Sequence, residues 1–80
     1  MEYELIFEET VEGRRYYIAN LASTEQDRRL LIQHAPKAGL RLVHEIHKPD
    51  LSKLSVIDDF VQRANETGRF DSKKLRELLK

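Results

Sequence analysis

Eighty residues are enough for one domain and one modest core, near the size at which burial alone leaves only a few kcal/mol of net stability. The chain has no cysteine, which excludes disulfides, thiolate metal ligands and a cysteine nucleophile. Lys+Arg and Asp+Glu both number 14, so no net field draws the whole protein toward nucleic acid or an anionic membrane.

Residues 3–21 carry the strongest local signal, a strand-turn-strand hairpin. Glu12-Gly13 lies between two β-rich runs and supplies the glycine that a tight two-residue turn needs at positive φ. Centring the turn there sets Val11 opposite Arg14, Glu9 opposite Tyr16, Phe7 opposite Ile18 and Leu5 opposite Asn20. One face then holds Tyr3, Leu5, Phe7, Val11, Tyr16 and Ile18, and is the expected core. The other holds Glu4, Ile6, Glu8, Thr10, Arg15, Tyr17, Ala19 and Leu21, a polar mixture with an apolar seam, and is the expected surface.

Ser23 and Thr24 are N-cap candidates for a first helix, with Ser23-x-x-Gln26 at capping-box spacing. Its apolar arc comprises Leu30, Leu31, Ile32 and Ala35, and Pro36 with Gly39 ends the regular helix near His34. A third strand is predicted over 40–47. Regular alternation there puts His44 into the apolar row of Leu40, Leu42 and Ile46 unless a bulge shifts it.

The second helix is expected to start at an Ser52 N-cap, with Leu51 stapled on Val56. Leu54, Val56, Ile57, Phe60, Val61 and Ala64 form its apolar arc, and Gly68 ends it. Asp71 then caps a short last helix with Leu75, Leu78 and Leu79 on one edge and Lys73, Lys74, Arg76 and Lys80 on the other. Too short to be stable alone, it must dock on the preceding helix or on another subunit. The predicted fold is therefore a small α+β domain over residues 1–80, in the order β-β-α-β-α-α, with a three-stranded sheet and helices packed on one face. Phe7, Ile57 and Leu42 are expected core positions.

Catalytic signals are weak. Asp58 and Asp59 diverge by one helical step, onto a solvated arc, and no phosphate loop, triad pattern or cofactor fingerprint can be assembled. His44 and His47 point to opposite faces of a strand, and neither HxH nor HxxxH spacing occurs, so no metal and no cofactor is expected. A helix-turn-helix reading of the C-terminal third fails because Arg63, Thr67, Arg69 and Lys74 would occupy positions that must be apolar.

Charge is segregated. Residues 1–13 hold five Glu and no Lys or Arg, whereas residues 14–48 hold seven Lys/Arg against three acids. That pattern, with apolar residues left over on the outward sheet face, points to a small non-enzymatic regulatory or inhibitory module that binds another protein or a second copy of itself as a homodimer. Ile6, Glu8, Arg15 and Tyr17 are the candidate partner-binding residues. The competing expectation is nucleic-acid binding through Arg14, Arg15, Tyr17, Lys73 and Lys74, in which cations meet phosphate and tyrosine stacks on bases. With no long apolar run and no secretory pattern, a soluble, cytoplasmic protein without a membrane partner is expected.

Overall fold

The computed structural model describes residues 2–80. Its elements run β1 (Tyr3–Val11), β2 (Arg14–Ala22), α1 (Glu25–His34), β3 (Leu40–His47), α2 (Leu54–Thr67) and α3 (Ser72–Leu78), with one-turn 3-10 segments at Ala35–Ala38 and Leu51–Lys53. The three strands form an antiparallel sheet in the order β2-β1-β3. This is the α+β arrangement anticipated from the hydrophobic pattern.

The hairpin turn sets the register. Glu12 and Gly13 both take positive φ, 53° and 81°, as a turn matching the strand twist requires. Val11 pairs with Arg14, Phe7 with Ile18 and Leu5 with Asn20, as the turn position implied. Between β1 and β3 the register slips, since Ile6 faces His44 while Phe7 faces Leu42, so Val43 is an unpaired bulge. That one residue moves His44 and Ile46 to the opposite face from Leu42. His44 consequently leaves the row of Leu40 and Leu42 and meets the Phe70 ring, 6.1 Å between centroids.

The sheet is covered on both faces. Leu5, Phe7, Ala22 and Ala35 form one cluster, joined by Leu31 and Ile32 of α1. Ile6, Tyr17, Ile57, Val61, Ala64 and Leu75 form the other, beneath α2 and α3. The expectation of helices on one face must be corrected: α1 lies on the Leu5–Phe7 side and the later helices on the Ile6–Tyr17 side. Leu5-Ile6-Phe7 is a continuous apolar run because a central strand sandwiched between two layers has no face left for solvent.

Helix ends follow local chemistry. Thr24, rather than Ser23, caps α1, its hydroxyl accepting from Asp27 N at 3.0 Å. The expected Ser52 cap is replaced by Asp50, whose carboxylate accepts from Ser52 N at 3.0 Å and starts the 3-10 turn before α2. Leu51, 65% exposed, is left outside the core and forms no deep staple. Gly68, at φ 72°, closes α2 with its N–H on Ala64 O at 2.7 Å. Asp71 caps α3 as expected, accepting from Lys73 N and Lys74 N at 3.1 and 3.2 Å. Leu75 is fully buried, so α3 docks on α2 and β1 within the same chain.

Candidate functional site

The four partner-binding candidates divide between core and surface. Ile6 is 0% and Tyr17 is 3% exposed, both inside the second core layer, with Tyr17 packed on Phe70 at 5.2 Å between centroids. Neither presents a docking surface, which corrects their placement on an open face. The alternation of β1 and β2 puts both on one face, and α2 covers it there. Glu8 and Arg15 share that face, and both line a cleft of about 520 Å³.

The cleft is built from distant segments. Arg15 comes from β2, Glu8 from β1, Arg41 from β3, Arg69 and Phe70 from the α2–α3 connection, and Ser72 from the start of α3. Strand pairing brings Glu8 directly opposite Arg41. Arg41 Nη2 donates to Glu8 Oε2 at 3.1 Å, with the Glu8 side chain only 12% exposed and Arg41 73%. Among the described residues, Arg15 and Arg69 pair with no carboxylate. Three arginines thus line one concavity with a single acid. Such a group can receive an anion through charge-assisted, planar hydrogen bonds.

Arg14 lines a neighbouring cleft with Asn65 and Glu66, and its guanidinium sits over the Tyr16 ring at 5.9 Å. Lys73 and Lys74 are exposed on α3, outside the arginine cleft. The five residues of the nucleic-acid reading do not line one cleft: Tyr17 is buried, and neither lysine lines the cleft that Arg15 shares. Sequence reasoning missed Arg41, Arg69 and Ser72. Arg41 opposite Glu8 is a cross-strand pair that the register of β1 against β3 determines, and the interruption of the apolar row by His44 hinted at a bulge without fixing that register.

A second unusual carboxyl lies under α2. Glu4 is 3% exposed, and its Oε2 has no hydrogen-bond partner among the described residues. Burial, together with the neighbouring Asp58 charge, pushes its pKa up from 4.5 to about 7. On the opposite sheet face, Arg28 of α1 forks onto Glu45 of β3, with Nη2 to Oε2 at 2.9 Å, and also contacts Glu25 and the Tyr3 ring. This network fastens α1 to the sheet where α1 itself buries no residue completely.

Among the described residues no group of three His, Asp or Glu is arranged to hold a metal ion, and no helix is long and apolar enough to cross a membrane. The structure defines an α+β domain with a cationic cleft at the hairpin end of its sheet. No protein-family model, curated protein or solved structure matches the chain.

Proposed function

We propose that the protein is a small, non-enzymatic regulatory or inhibitory module that binds another protein, with the arginine-rimmed cleft as the docking point for an anionic group on that partner. The observation that supports this reading is the convergence of Arg15, Arg41 and Arg69 from three separate elements on one cleft containing one carboxylate. Glu8 pairs with Arg41, so the cationic excess at the cleft lies with Arg15 and Arg69, which are open to an anion. The cysteine-free chain is compatible with a cytoplasmic setting, which forms part of the proposal.

Nucleic-acid binding is the weaker alternative. It could draw on the same cations, but Tyr17, its intended stacking platform, is 3% exposed and packed on Phe70. The two readings separate by experiment. Wild type and the double variant R15E/R69E are used as baits in host lysate at low and high salt, with mass measurement of the free protein to distinguish a foreign partner from a second copy. A discrete protein retained by wild type and lost by the variant is the expected result. Identical captures by both baits would refute the cleft as the docking point. Low-salt binding of single-stranded RNA, DNA or duplex with no protein captured would transfer the function to the alternative.

A further inference from the structure

We infer that the ligand of the cleft is a phosphomonoester, a doubly charged phosphate carried on an organic group. The inference rests on the docking role proposed above and specifies its chemistry. Three arginines less one glutamate leave a formal charge of +2 in the cleft, the complement of a dianion. A phosphomonoester carries about −1.5 to −2 at neutral pH and presents three strong acceptor oxygens. A carboxylate has half that charge and fewer acceptors, so it would leave part of the guanidinium array unanswered.

The cleft, about 520 Å³, is much larger than one phosphate group, so it has room for an organic carrier beside the arginines, and its exposed lining is mostly polar. Glu8 has a positioning role. Its bond to Arg41 at 3.1 Å holds that guanidinium at the cleft and leaves Arg15 and Arg69 unpaired for the incoming oxygens. The Ser72 hydroxyl is a further donor on the same lining. A phosphorylated side chain of the protein partner and a free small phosphomonoester share this chemistry.

Calorimetric titration of the full chain at low ionic strength tests the inference, using phenyl phosphate, phenyl sulfate and inorganic phosphate. Phenyl sulfate has nearly the same shape but only a single charge. Phenyl phosphate is expected to bind at least about tenfold more tightly than phenyl sulfate or inorganic phosphate, and its affinity should rise between pH 5 and pH 7.5 as the ester loses its second proton, with a pKa of about 6. R15Q and R69Q, checked for an unchanged circular dichroism spectrum, should each weaken it about tenfold. Equal affinity for sulfate and phosphate esters, or no loss in both arginine variants, overturns the inference.

A peptide pool with phosphoserine between degenerate flanks distinguishes the sources. Binding by the pool supports a modified protein partner; binding by phenyl phosphate without the pool supports a free small molecule. Should neither ester nor pool bind while R15E/R69E still loses a captured protein, the docking role survives and its ligand is a carboxylate, so the phosphate inference alone falls.

Discussion

Asn65 of α2 closes the free edge of the sheet at Tyr17. Its Oδ1 accepts from Tyr17 N and its Nδ2 donates to Tyr17 O at 3.0 Å, so one side-chain amide reproduces both bonds of a neighbouring strand. β2 is an edge strand, and the outward backbone groups of Tyr17 would otherwise be a template for another chain. The pair also fixes α2 against β2, above the face that carries Ile6.

Replacing Asn65 by Ala should cost about 1 to 3 kcal/mol, since two hydrogen bonds are lost and their backbone partners are left unmet. Urea denaturation measures the loss, and hydrogen exchange at the Tyr17 amide should accelerate. Asn65→Asp is expected to be no better than Ala, because a carboxylate cannot donate to Tyr17 O. Unchanged exchange at Tyr17 in both variants would show that the edge is protected by something else.

Glu4 makes stability depend on pH. Its folded-state pKa, about 7, lies above its ordinary 4.5, so between those values the folded chain holds a proton that the unfolded chain has released. This contribution is fully present below about 4.5 and is lost as pH rises to about 7, a change on the order of 3 kcal/mol. His44, whose pKa is lowered by burial and by Arg76, contributes a slope of the opposite sign below its ordinary value. The difference in unfolding free energy between wild type and Glu4→Gln isolates the glutamate. That difference should change across pH 4.5 to 7; a flat difference would rule out the raised pKa.

The two core layers should respond independently. Phe7→Ala, on the α1 side, and Ile57→Ala, on the α2 side, each remove a side chain no more than 1% exposed and should destabilise by about 2 to 5 kcal/mol. Leu42 is only half-buried, so Leu42→Ala should cost less than either. Because the sites lie on opposite faces of the sheet and share no cluster, the Phe7/Ile57 double variant should be additive within about 0.5 kcal/mol. Strong non-additivity in thermal or urea unfolding would contradict two separate layers.

Arg28→Lys tests how α1 is held. Lysine keeps the charge but not the two-pronged grip on Glu45, so the melting temperature should fall, and fall by a smaller margin at high salt, where the ion pair of the wild type is itself screened. Hydrogen exchange should quicken in α1 and not in α2. Equal acceleration in both helices would mean that the Arg28–Glu45 pair supports the whole fold rather than one element.

Local chemistry determined what lies within a few residues of its cause. Glu12-Gly13 specified the hairpin register through the handedness of a two-residue turn, Pro36 and Gly39 ended α1, Gly68 ended α2, and Asp71 capped α3. The alternation of β1 also sorted its side chains correctly between two faces. It could not say that both faces are covered, because burial of Ile6 and Tyr17 depends on α2, which begins more than thirty residues further on.

Only the tertiary structure decided where the bulge at Val43 falls, that Glu4 is enclosed beside Asp58, and that Arg15, Arg41 and Arg69 line one cleft. Turns and caps are bonds between near neighbours and leave their mark on short stretches of sequence. A cleft is a meeting of surfaces from separate elements, and its charge exists only once the sheet has paired and the helices have packed.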